Sequence, residues 1–436
     1  MIEIFLSVFF ISVLLLFLST GIWVALSMIG VSTIAMVLFT SRPVGDAMAT
    51  IIWGTSSSWT LTALPLFVWM GEILFRTKLS ENLFEGLSPW MQKLPGGLIH
   101  VNIVGCALFA AISGSSAATV ATVGKMSIPE LRKRKYPEKI LLGSLAGSGT
   151  LGLLIPPSII LIIYGVTVQE SIAKLFVAGI IPGILIALIF MSYVILWSLL
   201  NKKEMPIIST KYRLIEKIRR SGQLIPVILL IFSVIGSIYT GIATATEAAS
   251  LGVLGSLILS YFQKSLNWSN FKNSLLGATI TSCMISFILA GSAFLSLAMG
   301  FTGLPRNLAL WINSLELSPY ILIFVLMIFY IILGMFLDGI SAVVLTMAII
   351  EPMIRQAGFD MIWFGIFLVV VVEMAQITPP VGFNLFVLQG MAKKDMGFIA
   401  KSAFPLFVLM ILATFILIMF PELVMWLPEQ MTKNIN

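Results

Sequence analysis

The stretch GTLGLLIPPSIILIIYG, residues 149–165, is apolar along its length, yet two consecutive prolines, Pro156 and Pro157, lie near its middle. Proline has no backbone N–H, and its ring clashes with the preceding helical turn, so a helix cannot continue unbroken through this point. In hydrocarbon, a carbonyl that loses its helical donor finds no water to replace it. The stretch therefore predicts a helix that breaks inside a membrane, where protein or a water-filled cavity covers the break.

The composition of the 436-residue chain fits a membrane setting, with 59% hydrophobic residues, 10% charged residues and a mean hydropathy of +1.06. Soluble domains carry about 25% charged residues. The sequence therefore predicts an all-α polytopic membrane protein. Apolar runs, most of them long enough to span a bilayer, recur at 3–19, 22–40, 50–75, 98–124, 139–170, 173–199, 222–241, 244–262, 274–299, 318–350, 362–390 and 397–420.

Lysine and arginine are concentrated in a few stretches, which predicts the orientation of the chain. In membrane proteins these residues collect in cytoplasmic loops. If all the basic stretches are cytoplasmic, segments 98–124 and 318–350 each enter and leave on one side, which predicts two re-entrant hairpins that dip from opposite faces. Both termini are then expected in the periplasm. The basic stretches hold 21 of the 26 Lys and Arg residues and lie at 76–97, 125–139, 200–221, 263–273 and 391–401.

An internal repeat relates the two halves of the chain. ISGSSAATV and LLIPPSIILIIYG in the first half resemble LDGISAVVL and QITPPVGFNLFVLQG in the second. Each half carries an odd number of full crossings, so the second copy is expected to be inverted in the membrane. Inverted repeats with paired broken helices are typical of secondary transporters, whose site lies near the midplane. The landmarks are Asn82 with Asn307 and Gly114 with Gly339, both 225 positions apart, and Pro129 with Pro352 and Pro156 with Pro379, both 223 apart.

A helix that breaks in mid-membrane exposes carbonyls on one side of the break and N–H groups on the other, with opposite partial charges. Carbonyls and hydroxyls suit a hard cation such as Na⁺, and helix N-termini suit an anionic substrate. The alternative is a packing kink whose serines bond within their own helices, which two breaks in repeat register disfavour. The candidate oxygens are those of Ser113, Ser115, Ser116, Asp338, Ser341 and Thr378, the carbonyls near Gly152, Ile155 and Ala375, and the amide of Asn384.

Carboxylates in apolar surroundings are expensive and usually functional, and four stand in such positions: Glu72, Glu247, Asp338 and Glu373. Asp338 occupies the position of the second hairpin that matches Ser113 of the first. It is expected to act either as a cation ligand or as a cap on the re-entrant helix. Glu247 follows Thr244 in a capping-type context and is interpreted as structural. Glu72 and Glu373 are interpreted as either scaffold hydrogen-bonding residues or cavity-lining residues.

Several segments resemble the signature segments of a known family, the large membrane subunit (M or DctM type) of tripartite ATP-independent periplasmic (TRAP) transporters. The resemblance extends from about residue 60 to residue 420. One departure is TATEAA, where the family often has TPTEAA, and it bears on the entry of that helix rather than on function. Besides the stretch quoted first, the segments are ALPLFVWMGEIL, ISGSSAATVATVG, GIATATEAAS, DGISAVVLTM and ITPPVGFNLFVLQG.

The resemblance implies an inverted-repeat, elevator-type transporter of the bacterial inner membrane. It implies Na⁺-coupled import of carboxylate-bearing organic acids, such as C4-dicarboxylates or sialic acid. It also implies two partner chains, a small four-helix membrane subunit and a soluble periplasmic substrate-binding protein. The family's sodium sites carry over to Ser113, Ser116, Gly152, Ile155, Pro157, Asp338, Ala375 and Thr378. The organic acid is expected at Gly114, Ser115, Ser116, Asp338, Gly339 and Asn384.

These expectations divide the chain into scaffold, transport and connecting segments. Residues 1–75 and 222–299 are expected to form the scaffold helices of the two repeats. Each repeat then adds an arm, a re-entrant hairpin and a broken helix, at 76–199 and 300–420, which together make the transport domain. A cytoplasmic basic linker at 200–221 joins the repeats, and a tail follows at 421–436.

Other functions agree less well with these features. A stand-alone divalent-anion/sodium symporter would need no binding protein and remains an alternative. An ion channel would need a continuous polar stripe, whereas the polar groups here cluster at the helix breaks. No HExxH, GxSxG or GxxxxGK[ST] motif occurs and the chain has a single histidine, so neither an enzyme nor ATP drive is expected. The basic excess is explained by membrane topology and does not indicate nucleic-acid binding.

Overall fold

The computed structural model describes residues 2–77, 79–206, 212–303 and 318–435. Within these ranges the regular structure is entirely helical, so the predicted all-α class is confirmed. The helices of the first half are α1 (Ile2–Ser19), α2 (Val24–Phe39), α3 (Val44–Ser56), α4 (Ala63–Phe75), α5 (Leu79–Met91), α6 (Ile99–Ser113), α7 (Ser116–Lys133), α8 (Glu138–Gly149), α9 (Leu151–Leu154), α10 (Ile159–Val168) and α11 (Ile172–Leu200).

The second half begins after the basic linker and contains the longest helix of the described residues, α15, whose 35 residues span about 52 Å. That length exceeds the roughly 30 Å of a hydrocarbon core. The helices are α12 (Leu214–Ser221), α13 (Ile225–Tyr239), α14 (Ala245–Phe262), α15 (Trp268–Thr302), α16 (Pro319–Gly334), α17 (Gly339–Gln356), α18 (Met361–Ala375), α19 (Phe383–Ala392), α20 (Met396–Met419) and α21 (Glu422–Ile435).

The helices around the two proline pairs match in length and order. Helices α7 and α17 both have 18 residues, and their corresponding ends lie 223 positions apart. Helices α10 and α19 both have 10 residues and begin 224 positions apart. Both predicted helix breaks are present, and the peptide bonds within both proline pairs are cis. One landmark of the sequence repeat, Asn307, lies outside the described residues.

Two stretches that the sequence analysis treats as loop or tail are helical instead. The basic stretch 125–139 is largely helix, because α7 continues to Lys133 and places its cations in the last turn, where the helix dipole favours them. Arg132 there pairs with Glu138 at 2.7 Å, which joins the end of α7 to the start of α8. The tail at 421–436 forms α21, which packs against α11 with Val424 buried.

The apolar helices agree with a multi-pass membrane protein. Within the described residues, six helices are long and apolar enough to cross a membrane, or up to eight if two bent pairs count as single spans. The bent pairs are α3 with α4, at 53°, and α12 with α13, at 55°. Helices α6, α16, α18 and α19 are shorter. These short helices are arms of the two hairpins and halves of the second broken helix.

The helices form two packed groups. In one group, α15 packs along α2, α3 and α4, and α14 packs against α4 and α13. In the other, α8 packs against α20, α6 and α7, and α18 packs against α16 and α20. Every residue of α18 is buried, as is every residue of α8 from Ile140 onward. Each of these helices precedes a proline pair, α8 through the short α9, so both breaks belong to the second group.

The crossing of α8 and α20 depends on a glycine. A Cβ atom added at Gly143 would lie 2.2 Å from the carbonyl oxygen of Ser402, which is a backbone atom and cannot move away as a side chain can. Gly143 therefore allows two apolar helices to approach until their backbones touch. Such close approach at small residues is the usual basis of helix association in membranes.

We expect Gly143→Ala to destabilise the fold by about 1–3 kcal/mol, the usual cost of overpacking. Gly397→Ala, in the first turn of α20, is the matched control, because a Cβ there meets nothing within 4 Å. The measurement is the thermal unfolding midpoint of each purified variant in detergent. A midpoint for Gly143→Ala equal to or above that of Gly397→Ala would contradict the close-crossing interpretation.

Candidate functional site

The first helix break leaves backbone carbonyls without their helical donors. Pro156 has no N–H for the carbonyl of Gly152, and Pro157 has none for that of Leu153. The Leu153 carbonyl instead accepts a hydrogen bond from the hydroxyl of Ser158, the N-cap residue of α10. The break is thus partly satisfied by a side chain of its own segment, the hydroxyl of Ser158.

The tip of the first hairpin closes over this break. Gly114 ends α6 in the left-handed conformation, with φ of 59°, and a Cβ there would lie 2.9 Å from the Pro157 carbonyl oxygen. At Gly152, a Cβ would lie 2.6 Å from the Ser115 carbonyl oxygen and 2.7 Å from the Cα of Ser116. Backbone meets backbone on both sides of the break. The structure therefore brings Gly114, Ser115 and Ser116 of the hairpin tip to Gly152 and Pro157. The side chain of Ile155 instead lies against Gly183 of α11.

Hydroxyl groups of the first hairpin bond mainly within the hairpin. The Oγ of Ser113 lies 2.9 Å from the Oγ1 of Thr119, whose hydroxyl donates to the Ser115 carbonyl at 2.8 Å. The Oγ of Ser115 caps α7 by accepting from the N–H of Ala118 at 3.5 Å. Locally bonded serines, one of the alternatives considered for this motif, are therefore present. The contact between tip and break is made by backbone atoms instead.

At the second break, as at the first, nearby groups donate hydrogen bonds to the backbone carbonyls. The Thr378 hydroxyl donates to the Met374 carbonyl at 2.7 Å, and the Thr378 N–H donates to the Ala375 carbonyl at 3.1 Å. The Gln376 carbonyl, which lost its donor to Pro380, accepts from the N–H of a residue beyond the break, Asn384, at 3.1 Å. The predicted ligands Ala375 and Thr378 thus lie in one tight turn at the end of α18.

The two breaks differ in how they are covered. The pair Pro156–Pro157 is buried, whereas the pair Pro379–Pro380 is exposed. The tip of the second hairpin packs against α18 and α9, since a Cβ at Gly339 would lie 2.8 Å from the Val372 side chain and 3.5 Å from that of Leu153. In this structure the first break is closed by a hairpin tip, and the second is open on one side.

Asp338 caps the inward helix of the second hairpin. Its Oδ2 accepts a hydrogen bond from the N–H of Ser341 at 3.2 Å, and its side chain is exposed. The capping role that the sequence analysis left open is therefore present. Because a carboxylate has about four lone-pair sites, the cap leaves capacity for a cation.

The matching of Asp338 to Ser113 is corrected by the structure. The N-cap residue of α7 is Ser115, which precedes Asp338, the N-cap residue of α17, by 223 positions, the offset that also separates the proline pairs. The error arose from aligning Gly114 with Gly339. Gly114 ends the first arm of its hairpin, whereas Gly339 begins the second arm of the other.

Two of the other carboxylates have structural partners. Glu247 forms a capping box with Thr244, whose backbone N–H donates to its Oε2 at 2.8 Å, so the structural interpretation is confirmed. Glu72 pairs with Arg76 at 2.9 Å, one turn along α4. Glu72 is thereby assigned to the packing of the first helix group and not to the breaks.

Glu373 has a partner that sequence reasoning missed. Its side chain is 1% exposed, and its Oε1 accepts a hydrogen bond from the N–H of Leu153 at 3.0 Å, across 220 positions of sequence. Its Oε2 has no hydrogen-bond partner among the described residues. An isolated carboxylate in an apolar run indicates a functional or structural role. Nothing in the sequence, however, indicated which backbone group Glu373 binds.

Asn384 is fully buried behind the second break, with 0% exposure. Its Nδ2 would lie 3.6 Å from a Cβ atom on Gly149, so the side chain lies against the end of α8. Neither of its side-chain polar atoms has a hydrogen-bond partner in the part of the chain that the structure describes. No hydrogen bond therefore joins this amide to Asp338 or to the rest of the second hairpin.

A cavity of about 280 Å³ lies between α3, α10 and α15, and none of the predicted site residues lines it. One of its lining residues, Ser292, also donates to the Val344 carbonyl at 2.7 Å, which ties α15 to the second hairpin. The sequence signal that could have identified this cavity is a pair of serines four residues apart on one face of α15. Its polar lining residues are Thr55, Thr167, Gln169, Ser292 and Ser296.

The oxygens gathered at the breaks are suited to a hard, weakly held cation. No group of three or more His, Cys, Asp or Glu side chains in the described ranges could hold a metal ion. Carbonyl and hydroxyl oxygens dominate instead, and such ligands favour hard ions over transition metals, which prefer imidazole and thiolate. The donor set therefore fits Na⁺.

Comparison with known proteins identifies the family. Residues 11–423 match the model for the DctM component of the tripartite ATP-independent periplasmic transporter. The C4-dicarboxylate TRAP transporter large permease protein DctM of Pseudomonas aeruginosa is 32% identical over 391 residues, covering 89% of this chain and 90% of that one. The isethionate TRAP transporter permease protein DctMQ of Oleidesulfovibrio alaskensis is 31% identical, covering 94% of this chain and 64% of that one.

The fold is also shared with a solved transporter. The crystal structure of the Alcanivorax borkumensis YdaH transporter superposes with a TM-score of 0.63 over 95% of this chain and 98% of that one, at 12% identity. At that identity the likeness concerns the fold alone. The family match over nearly the whole length carries the assignment. The chain belongs to the DctM family and is the large membrane subunit of a TRAP transporter, a permease and not an enzyme.

Proposed function

We propose that this subunit imports small carboxylate-bearing organic acids across the bacterial inner membrane, driven by co-transported Na⁺. The observation that carries the proposal is the pair of proline breaks, each flanked by matching helices and each preceded by a buried stretch of helix. Broken helices at the meeting point of two repeats are where secondary transporters hold anions and coupling ions.

The two helix groups supply the parts of an elevator. The first group, from 1–75 and 222–299, is proposed as the scaffold, and the second, from 76–199 and 300–420, as the transport domain. The offset of 223 positions between matching helices supports a repeat, and the distribution of basic residues supports its inversion in the membrane. With this orientation both termini lie in the periplasm. The Ser292–Val344 hydrogen bond crosses between the groups and would break when they slide.

The coupling ions are proposed to bind at the two breaks. In the first half the ligands are the oxygens of Ser113, Ser116, Gly152, Ile155 and Pro157, which the hairpin tip already surrounds. In the second half they are Asp338, Ala375 and Thr378, where the open break leaves room for an ion to enter. The organic acid is proposed to lie against the hairpin tips, at Gly114, Ser115, Ser116, Asp338, Gly339 and Asn384.

Two partner chains are part of the proposal, a small four-helix membrane subunit and a soluble periplasmic substrate-binding protein. Relatives named for C4-dicarboxylate and isethionate support an organic acid as the class of cargo. Sialic acid belongs to the same chemical class and remains within the proposal. A stand-alone sodium symporter is the second candidate, and dependence on a binding protein separates the two.

The experiment is uptake by proteoliposomes that contain this subunit, with and without the two partners, over a panel of labelled organic acids. We expect uptake only with an inward Na⁺ gradient and only with the binding protein present. Uptake that proceeds equally well in K⁺ would contradict Na⁺ coupling. Uptake at full rate without the binding protein would favour the stand-alone symporter, and conductance without saturation would favour a channel.

Gly152→Ala tests the closed first site. The added Cβ must push the hairpin backbone away from the break, because its nearest neighbours are backbone atoms of Ser115 and Ser116 at 2.6–2.7 Å. We expect Na⁺-dependent uptake to fall by about 5–150-fold, as a cost of about 1–3 kcal/mol in site geometry implies. Gly390→Ala, in α19 with nothing within 4 Å of the new Cβ, is the control. Equal uptake by the two variants would remove Gly152 from the site.

Asp338→Asn separates the two roles of this residue. Asparagine caps helices as well as aspartate does, so the substitution preserves the cap and removes the charge. If Asp338 binds Na⁺, the half-saturating Na⁺ concentration should rise about tenfold or more in Asp338→Asn, with no loss of thermal stability. Asp338→Ala should show the same rise plus a loss of about 1 kcal/mol of stability from the missing cap. Wild-type Na⁺ dependence in Asp338→Asn would leave only the capping role.

A further inference from the structure

Glu373 is a side chain of the second half that binds the backbone of the first half next to a helix break. Its Oε1 accepts from the N–H of Leu153, and the side chain is almost completely buried. Glu373 lies on α18, which leads into the second break, and Leu153 lies on α9, which leads into the first. One hydrogen bond of 3.0 Å therefore links the approaches to both breaks.

Leu153 lies close to both hairpin tips. Its neighbour Gly152 touches the first hairpin tip at the backbone of Ser115, and its own side chain would lie 3.5 Å from a Cβ on Gly339 at the second tip. Its carbonyl is held by the Ser158 hydroxyl at the far side of the break. A displacement of Leu153 would shift the atoms that contact both hairpin tips. The carboxyl group of Glu373, which helps to fix the position of Leu153, can therefore influence both helix breaks.

A carboxyl group is a costly way to supply an acceptor to a buried N–H, all the more because the Leu153 N–H also donates to the Thr150 carbonyl at 3.2 Å. Burial of a carboxyl is expensive, and Oε2 gains no compensating hydrogen bond within the described residues. Elsewhere in the same site, hydroxyls of Ser115 and Ser158 satisfy N–H groups at helix starts. In the first half, the position 223 before Glu373 is Thr150, whose hydroxyl bonds within its own helix to Gly147 at 2.6 Å. The hydrogen bond made by Glu373 therefore has no equivalent at Thr150, the matching position of the first half.

We propose that Glu373 is a positioning residue that couples the two helix breaks through the Leu153 N–H, so that an ion bound at one break raises the affinity of the other. The inference rests on the proposed Na⁺-coupled function and adds the route of coupling. Coupling of this kind is reciprocal, and its measurable sign is cooperative Na⁺ dependence. What matters in this role is an oxygen acceptor at the position of Oε1.

The test compares Glu373→Gln, which keeps an acceptor oxygen, with Glu373→Met, which has similar length and no oxygen. The readouts are the Hill coefficient and the half-saturating Na⁺ concentration of uptake. We expect Glu373→Gln to retain a Hill coefficient above 1, and Glu373→Met to fall to about 1 with a half-saturating concentration at least about tenfold higher. The control Glu72→Met removes a carboxylate that pairs with Arg76 in the other helix group and should leave cooperativity unchanged.

Either of two results would overturn the proposal. One is wild-type cooperativity in Glu373→Met. The other is an equal loss in Glu373→Gln and Glu373→Met, which would mean that the charge matters and the acceptor does not. If wild-type uptake shows no Na⁺ dependence at all, the proposed function fails instead, so the two failures are distinguishable.

Hydrogen exchange tests the link without transport. In the purified wild-type protein and in Glu373→Gln, the amide of Leu153 should exchange at least about tenfold more slowly than the amide of Ile159, which donates a long 3.4 Å hydrogen bond to the Gly114 carbonyl. In Glu373→Met, protection of Leu153 should fall selectively, to the level given by its remaining 3.2 Å hydrogen bond to the Thr150 carbonyl. If Glu373→Met does not accumulate, rapid exchange of Leu153 in the wild type is sufficient to overturn the proposal.

Discussion

The structure depends on one constraint: backbone polar groups buried in a membrane must find partners inside the protein. Two proline pairs remove helical donors at the ends of two helical stretches that are buried from Ile140 onward in α8–α9 and throughout α18. Two of the freed carbonyls accept hydrogen bonds, one from the Ser158 hydroxyl and one from the main-chain N–H of Asn384. Non-helical backbone of this kind is tolerated at membrane depth only where protein or a water-filled cavity covers it, and the first hairpin supplies such a cover.

Similar sequences nevertheless form two sites in different states. The first break is sealed, because Gly114 and Gly152 allow the hairpin backbone to touch it on both sides. The second hairpin tip packs against α18 and α9, and the pair Pro379–Pro380 is exposed. Under the proposed function, the covered first break would hold its ion in an ordered set of ligands. The exposed second break would be the one that changes its shape with the cargo.

The sequence predicted the helix breaks, the hairpins and the membrane class because each has a local cause: a missing donor, a turn glycine or a run of apolar residues. It also placed the capping role of Glu247, whose partner lies three residues away. It did not predict the partner of Glu373, because no local pattern specifies a contact across 220 positions. It misplaced Asp338 by two positions, because the glycines of the two hairpins lie on opposite sides of their turns.

Polar side chains were the natural candidates for the site, yet the closest contacts in it are made by glycines and main-chain atoms. The hydroxyls of Ser113 and Ser115 are bonded within their own hairpin, whereas a Cβ at Gly152 has no space at all. Main-chain carbonyls are fixed by the fold and cannot rotate away, so ligands of this kind are preorganised at no side-chain entropy cost. Glycine is what allows the two main chains to come this close. In a site built from main-chain atoms, the glycine positions that tolerate no side chain therefore mark the site better than the positions that carry polar side chains.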